Sequence, residues 1–169
     1  MSRLPRIRLM KESVAINNIR DMLLECELFS SFDRLEMGSI ASYFNYIEIE
    51  KGDVVFKEGD PGTFMCIVHT GTVSISKSDL EGRVYEIAKL QPGRPFGEMA
   101  LLDGERRSAT CQAVEKCSLL TLSKDALDLM IEDAPSMAAK VVRTVAVSLS
   151  RRLRMADGQL VDRRSRNAY

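Results

Sequence analysis

The sequence predicts a mainly β fold with flanking helices, in which an antiparallel β-roll or jelly-roll barrel follows N-terminal helices and precedes one long C-terminal helix. Apolar residues recur at helical spacing near both ends of the chain, whereas short apolar or alternating runs fill the middle. Glycine, aspartate and proline separate those runs, as they do between the strands of all-β domains. A length of 169 residues fits about one domain.

Short helices are predicted at the start of the chain. The apolar positions of residues 14–25 recur at helical spacing, and they are Val14, Ile16, Ile19, Met22 and Leu23. A second helical run extends from Leu35 to Tyr43. We therefore assign residues 1–26 to an N-terminal helical segment.

Residues 27–134 are assigned to the β-roll. The runs predicted as strands are YIEIE, DVVF, FMCIV, TVSIS, VYEIAKL, SATCQAV and SLLTL. Turns are expected at residues 51–53, 58–62, 70–71, 81–82 and 91–93. Strands this short and evenly spaced typically close into a barrel or jelly roll, because closure leaves few strand edges unpaired. The positions expected in the core include Val73, Val84 and Leu101.

After Leu122 the spacing of apolar residues becomes helical again. Ser123 can cap a short helix over residues 124–131, and Pro135 can open a long helix over residues 135–160. The apolar stripe of the long helix comprises Met137, Val141, Val142, Val145, Leu149 and Leu153. Residues 161–169 are assigned to a basic tail that we expect to be solvated and partly frayed.

Charge and composition exclude several classes of protein. Lysine plus arginine number 24 and aspartate plus glutamate also number 24, so no overall field attracts nucleic acid or an anionic membrane. No run of about 18 apolar residues could span a bilayer, and the first residues lack the apolar run of a signal peptide, so a cytoplasmic location is expected. The cysteines form no CxxC pair and are predicted to be free buried thiols, at Cys26, Cys66, Cys111 and Cys117.

One segment of the β-roll has the residue types that an anionic, hydroxylated ligand requires. Gly97 lets backbone approach a ligand closely, and a short helical turn over residues 99–102 can point unpaired N–H groups at an anion. Arg107 supplies a permanent charge whose planar fork matches phosphate oxygens. Glu98 can accept hydrogen bonds from adjacent sugar hydroxyls, and Ser108 can donate one more hydrogen bond to the ligand.

The charged residues of this segment and the nearby proline also have other interpretations. Glu98 and Arg107 could form an intramolecular ion pair, but two opposite charges in an apolar segment are costly to bury without further partners. Arg106 is a neighbouring cation that we expect to be exposed to solvent. Pro95 removes a strand donor and should stiffen the chain before this segment.

Phe-Gly-Glu-Met-Ala-Leu-Leu at residues 96–102, followed by Arg-Ser-Ala-Thr at residues 107–110, resembles the phosphate-binding cassette of cyclic-nucleotide-binding domains. These are sensor domains of the catabolite-activator and protein kinase A regulatory-subunit type. Upstream, residues 28–32, 52–60 and 71–73 look like the leading helix and glycine-marked strands of that family. The resemblance extends over roughly residues 25–155.

The resemblance implies a ligand site formed by Phe96, Gly97, Glu98, Met99, Ala100, Arg107, Ser108 and Ala109. In it Arg107 pairs with the cyclic phosphate, Glu98 and the Gly97 backbone take the ribose 2′-hydroxyl, and Ser108 with Ala109 completes the phosphate shell. The expected ligand is cyclic AMP, because no further guanine-selective donor or carboxylate is evident in the predicted strands. Cyclic GMP is the alternative, since a hydroxyl at residue 108 accompanies either base in the family. No cofactor and no metal is expected.

The resemblance also implies a relay in which the cassette moves inward, the short helix follows and the long helix closes over the base. The candidate lid residues lie near one helical face and are Thr144, Ser148, Arg151 and Arg152. An arginine there could stack on the purine, and a hydroxyl could bond its edge. The alternative is that Arg151 and Arg152 are solvated residues at a basic helix end. The output is expected to reach an effector protein in trans or a homodimer formed through residues 137–153.

Competing functional classes are less well supported by the residues. A metal-dependent cupin requires several histidines, and this chain has one, His69, which would also have to serve any Ser-His-Asp or Cys-His site. We therefore expect no enzyme. Residues 154–169 are too few for a helix-turn-helix, so direct DNA binding is not expected. A vestigial domain that mediates protein contacts without a ligand stays as the alternative, and Glu98 and Arg107 argue against it.

Overall fold

The computed structural model describes residues 12–166, and within that range the side chains of residues 16–162. Helices flank a set of short strands, in the order that the sequence predicts. The elements are α1 (Glu12–Glu25), a 3-10 turn (Glu27–Phe29), α2 (Arg34–Ala41), β1 (Phe44–Ile49), β2 (Val54–Phe56), β3 (Phe64–Thr70), β4 (Val73–Ser78), β5 (Val84–Leu90), β6 (Pro95–Phe96), α3 (Glu98–Asp103), β7 (Thr110–Ala113), β8 (Cys117–Ser123), α4 (Lys124–Asp133) and α5 (Pro135–Arg166).

The strands form two antiparallel sheets, ordered β1-β8-β3-β6 and β2-β7-β4-β5. Together they make the predicted β-roll. The predicted closure into a barrel is wrong, because within residues 12–166 each sheet keeps its own two edge strands. Two of these edge strands, β2 and β6, are only three and two residues long, whereas the edge strands β1 and β5 have six and seven residues.

Strand β6 was not among the predicted strands. Its residues Pro95 and Phe96 pair with Ile67 and Cys66 of β3, at the edge of the first sheet. Proline lacks an N–H donor and is confined to such edges, and a run of two residues is too short to show an alternating pattern. This strand leads directly into the cassette, residues 96–110.

The core consists of two clusters of buried side chains. One lies between the helices and the first sheet, and the other lies between the two sheets. Val73 and Leu101 are buried as expected, but Val84 is 68% exposed because it begins β5, an edge strand whose residues face solvent up to Leu90. All four cysteines are free and buried, which confirms that prediction.

Helix ends follow local capping chemistry. The Ser123 side chain accepts a hydrogen bond from the Ala126 N–H at 3.1 Å, so the predicted cap of α4 is confirmed, although the helix continues to Asp133 rather than ending at residue 131. Helix α5 also continues to Arg166, beyond the predicted end at residue 160. Residues 161–166 are therefore helical, since this stretch contains good helix formers and no proline. Residues 167–169 of the expected tail and residues 1–11 lie outside the described residues.

The first half of α5 is fixed to the body of the protein. Val141 and Val145 are 1% and 2% exposed in the helical core cluster. Lys140 donates to both carboxylate oxygens of Glu36 in α2, at 2.7 and 2.8 Å, and lies 4.5 Å from the Phe32 ring centroid. This anchor directs the second half of α5 across the cassette.

The loop between β2 and β3 packs closely against α3, and this contact gives a stability prediction. A Cβ atom on Gly62 would stand 2.0 Å from the Ala100 Cβ, so Gly62→Ala forces backbone or α3 to move. We expect a loss of about 1–3 kcal/mol in the free energy of unfolding, as for other overpacked sites. Chemical denaturation measures it. Gly38→Ala is the matched control, because a Cβ there meets nothing within 4 Å, and α2 should gain about 0.5–1 kcal/mol. Equal stability of the parent and Gly62→Ala would contradict the contact.

Candidate functional site

An open cavity of about 700 Å³ lies between the cassette and the second half of α5. Every cassette residue predicted to contact a ligand lines it, and these are Phe96, Gly97, Glu98, Met99, Ala100, Arg107, Ser108 and Ala109. Apolar walls are added by the strand residues Phe56, Ile75 and Ile87 and by the α5 residues Leu149, Leu153 and Ala156. This cassette cavity falls within the range of about 300–1,000 Å³ that is usual for small-molecule sites.

Gly97 sets the backbone path that begins α3. Its φ of 74° is left-handed, a conformation that glycine adopts without steric cost. A Cβ atom at this position would also stand 2.7 Å from Nη1 of Arg107 and 3.0 Å from the Phe56 ring. Two features therefore favour glycine at this position: the left-handed backbone and the space that the Arg107 side chain occupies.

Arg107 is a buried cation held from several sides. It is 3% exposed, Nη1 donates to the Gly97 carbonyl at 2.8 Å, and Nη2 donates to the Phe64 carbonyl at 2.6 Å. The guanidinium lies 3.9 Å from the ring centroid of Phe56 and 4.7 Å from that of Phe64, within cation–π range. Its Nε is buried and has no hydrogen-bond partner among the described residues. The side chain is thus fixed while one donor stays unused.

The charge of Arg107 is only weakly compensated. Burial lowers the pKa of its guanidinium below the ordinary value, and the charge of Asp60 opposes this shift only in part, since no acidic group lies within ion-pair distance among the described side chains. The neighbouring thiols of Cys66 and Cys111 do not supply a negative charge, because burial raises both pKa values, that of Cys111 to about 12. An anion bound beside Arg107 would reduce the cost of burying this charge.

The loop between β2 and β3 fixes the backbone at Arg107. The Gly59 N–H donates to the Arg107 carbonyl at 2.8 Å, and the Arg107 N–H donates to the Asp60 carbonyl at 2.9 Å. Arg106 is exposed, as expected, and its Nη1 donates to the Gly59 carbonyl at 2.8 Å. The two adjacent arginines therefore have opposite environments, and Arg107 alone faces the cassette cavity.

Glu98 is the second buried charge of the cavity. It is 1% exposed, and its Oε1 accepts no hydrogen bond among the described residues. An ion pair joins this oxygen to Nη2 of Arg152 in α5. The anticipated alternative, an ion pair between Glu98 and Arg107, is not what the structure shows, because Arg152 is the partner. The acidic and basic groups of the cassette thus remain separate.

The remaining cassette residues shape the cavity between these two charges. Ser108 is exposed, with its hydroxyl 3.8 Å from the sulfur of Met99, which is 47% exposed. Phe96 and Ala100 are buried at 1% and 3% exposure and form the floor. A hydroxyl and two opposite charges around an apolar floor suit a ligand with an anionic end and a hydroxylated end.

The candidate lid residues separate into two groups. Arg152 lines the cassette cavity, whereas Thr144, Ser148 and Arg151 do not. Those three line a second cavity of about 800 Å³ between α5, the 3-10 turn and the chain before β6. We call it the basic cleft, since its wall includes His69, Arg94, Lys140, Arg143, Arg151 and Arg152. Arg152 borders both cavities.

Helical geometry explains the separation of the lid candidates. Successive residues of an α-helix are rotated by about 100° around the helix axis. Residues 149, 153 and 156 therefore share one face of α5, and residues 144, 148 and 151 lie on a different face. The sequence placed Leu149 and Leu153 in an apolar packing stripe, and that stripe was the available signal for them. No local pattern could identify Phe56, Ile75 or Ile87, because separate strands bring them to the cavity.

A metal-binding cluster and a membrane-spanning helix are both absent from the residues that the structure describes. In the part of the chain that the structure describes, no three His, Cys, Asp or Glu side chains are grouped so as to hold a metal ion. Across the same residues, no helix has both the length and the apolar character needed to cross a membrane.

Comparisons with known proteins point to one family. The family model described as "Cyclic nucleotide-binding domain" matches residues 46–134. The cyclic AMP receptor protein of Thermus thermophilus is 36% identical over 133 residues, which are 79% of this chain and 60% of that protein. The chain therefore spans about 60% of the length of this relative.

Solved structures agree with this match. A cyclic nucleotide-binding domain from Methylobacillus flagellatus superposes with a TM-score of 0.78 at 28% identity, covering 88% of this chain and 83% of that one. The regulatory domain of Toxoplasma gondii PKA, crystallised with cAMP, superposes with a TM-score of 0.61 at 29% identity, covering 74% and 48%. The match spans more than half of the sequence and includes the cassette with its buried Glu98 and Arg107, so this chain belongs to the cyclic nucleotide-binding domain family.

Proposed function

We propose that this chain binds a cyclic nucleotide, cyclic AMP in preference to cyclic GMP, and acts as a cytoplasmic regulatory sensor without catalytic activity. The observation that supports it most is the pair of buried charges, Arg107 and Glu98, that line one cavity of suitable size. The names of similar proteins support the ligand, since one relative is called a cyclic AMP receptor protein and one structure contains cAMP.

The phosphate and ribose ends of the ligand would meet different groups. The cyclic phosphate carries one negative charge and would lie beside Arg107, whose Nε is available to donate to it. Ser108 at the rim would add a hydroxyl donor. The ribose 2′-hydroxyl would donate to the Glu98 carboxylate, with the Gly97 backbone beside it. Each of these residues lines the cassette cavity.

A competition titration tests both the ligand and the base preference. We expect saturable one-to-one binding with cyclic AMP displacing a fluorescent analogue more effectively than cyclic GMP. The one cavity-lining carboxylate that could select guanine, Asp103, already accepts from the Glu105 N–H at 2.9 Å. If cyclic GMP bound about tenfold more tightly than cyclic AMP, a difference of about 1.4 kcal/mol in binding free energy, the base assignment would be reversed. No binding of either nucleotide by folded protein would favour the alternative, a vestigial domain that mediates protein contacts.

Helix α5 is proposed to act as the lid through its apolar side chains. Leu149 and Leu153 line the cassette cavity, and Leu160 does not, although it lies on the same helix and is 57% exposed. We expect Leu149→Gln with Leu153→Gln to speed release of a fluorescent cyclic nucleotide several-fold, because such losses fall mostly on the off-rate. Stopped-flow release measures this.

Leu160→Gln is the matched control for the lid and should release nucleotide at the parental rate. Release from the double variant that is as slow as from the parent would remove α5 from the mechanism. Point substitutions suit this test better than truncation after residue 139, because that truncation removes Val141 and Val145 from the core.

The output is proposed to pass through α5 to an effector protein in trans or to a second copy of the chain. From residue 147 onward α5 presents apolar side chains to solvent, and these are Val147, Leu153, Met155, Leu160 and Val161. Light scattering of the protein with and without cyclic AMP separates the two routes, since only a homodimer changes mass in the purified protein. That this chain does not itself bind DNA stays a prediction, which a gel-shift assay would test.

A further inference from the structure

We propose that the basic cleft is a second ligand site, which takes a linear nucleotide with two or more phosphate groups, such as a nucleoside diphosphate. The cleft lies between α5, the 3-10 turn and the chain before β6, and its volume is about 800 Å³. That volume is usual for a small-molecule site. The inference does not rest on the proposed function, because the cleft shares one lining residue, Arg152, with the cassette cavity.

Three guanidinium groups of the cleft have no ionic partner. Arg94, Arg143 and Arg151 are exposed and form no ion pair among the described side chains. Two other cations of the wall, Lys140 and Arg152, are already paired with carboxylates. A concave wall with one sign of charge focuses its field and attracts ions of the opposite sign. The three unpaired arginines therefore mark the part of the cleft that would bind phosphate groups.

The cations of the cleft also act on one another. Burial lowers the pKa of the Arg152 guanidinium, and the nearby charge of Arg94 lowers it further. A like charge at short distance disfavours the charged form of its neighbour, and an anion bound between the two would favour it. Binding of an anion in the cleft would therefore reduce this repulsion.

The positions of the arginines favour more than one phosphate. Arg143 and Arg151 are eight residues apart on α5, which is about 12 Å along the helix axis. Thr144 and Ser148 lie between them in the chain and add hydroxyl donors to the same wall, and Arg94 belongs to the chain before β6. The planar fork of a guanidinium matches phosphate oxygens. Three such groups spread over this distance suit a diphosphate or triphosphate better than a single phosphate.

The wall formed by the end of α1 and the 3-10 turn has the opposite charge. Glu25 and Glu27 line it, and both are exposed. These carboxylates would repel a purely anionic ligand such as pyrophosphate or an acidic peptide, but they can accept hydrogen bonds from sugar hydroxyls and base amino groups. Leu28, Val147 and Met155 add apolar surface for a base. A nucleotide, with phosphates at one end and donors at the other, matches both walls.

Calorimetric titration of the full-length protein with ADP, pyrophosphate and adenosine tests this assignment, in magnesium-free buffer so that the phosphates keep their charge. We expect saturable binding of ADP, weaker binding of pyrophosphate and no binding of adenosine. Arg143→Gln with Arg151→Gln should weaken ADP binding about tenfold, because hydrogen bonds between charged groups are lost. Arg154→Gln is the matched control and should bind ADP as the parent does, because Arg154 is exposed on the same helix and lines neither cavity.

Two further titrations separate the cleft from the cassette cavity and test the acidic wall. Saturating cyclic AMP should leave the ADP affinity unchanged, because the two ligands occupy different cavities. Glu25→Gln with Glu27→Gln should narrow the preference for ADP over pyrophosphate, because the repulsion of pyrophosphate is removed and the acceptors for the nucleoside are weakened.

Four results would overturn the inference. They are a folded parent that does not bind ADP, an equal loss of ADP affinity in Arg154→Gln and in the Arg143 and Arg151 double variant, pyrophosphate that binds as tightly as ADP, and displacement of ADP by cyclic AMP. Failure of cyclic AMP itself to bind would count against the proposed function and not against this second site, since the arginine variants locate ADP without it.

Discussion

Replacement of Arg107 by alanine should cost most of the affinity for cyclic nucleotide. Removal of one side of a buried charge pair typically costs about 2–5 kcal/mol, which is roughly 30-fold to several-thousand-fold in Kd. The loss should be large because the Gly97 and Phe64 carbonyls and two aromatic rings already fix the side chain, so little conformational entropy is lost when it meets a phosphate. Calorimetric titration with cyclic AMP measures it.

Arg106→Ala is the matched control for this loss. Arg106 is adjacent, carries the same charge and faces solvent, so its removal should change affinity little. Arg107→Ala also leaves two buried carbonyls without their donors, so its thermal melt must be recorded and binding measured below the melting range. Arg107→Ala that is folded and binds cyclic AMP as tightly as the parent would contradict the phosphate assignment.

Replacement of Glu98 by glutamine should produce the second largest loss and should act on the ribose. A hydrogen bond to a charged group contributes about 1.5–3 kcal/mol, so cyclic AMP should bind roughly 10- to 150-fold more weakly. The parent should discriminate between cyclic AMP and its 2′-deoxy analogue, and Glu98→Gln should discriminate far less. Paired titrations of both proteins with both ligands give this comparison.

Glu98→Gln keeps the shape of the side chain, so a loss of affinity reports the charge and not a cavity. Glu105→Gln is the matched control, since it makes the same chemical change at an exposed carboxylate that does not line the cavity. If Glu98→Gln keeps the discrimination shown by the parent, the ribose contact lies elsewhere.

The sequence predicted the cassette because its residues are contiguous. Gly97, Glu98 and Arg107 are close along the chain, and their residue types indicate a site for an anionic, hydroxylated ligand. The structure places all three in the wall of one cavity. The short apolar runs separated by turn residues predicted most of the strands in the same way. The same reasoning missed β6, because two residues that include a proline leave no periodic signal.

The features that the sequence did not predict depend on tertiary packing. Phe56 and Phe64 contact the Arg107 guanidinium from different strands, and no spacing in the sequence indicates that arrangement. Polar residues on one helical face predict the lid, but α5, anchored at Lys140 and Val141, places Leu149 and Leu153 in the wall of the cavity. The sequence predicts Arg152 as a base contact, whereas the structure pairs its guanidinium with Glu98.

A crystal structure of this protein with cyclic AMP tests the central claim most directly. The account expects a phosphate oxygen within hydrogen-bond distance of Arg107 Nε, the ribose 2′-hydroxyl on the Glu98 carboxylate, and the purine against Leu149 or Leu153. Nucleotide bound outside the cassette cavity, or a phosphate that makes no contact with Arg107, would contradict it.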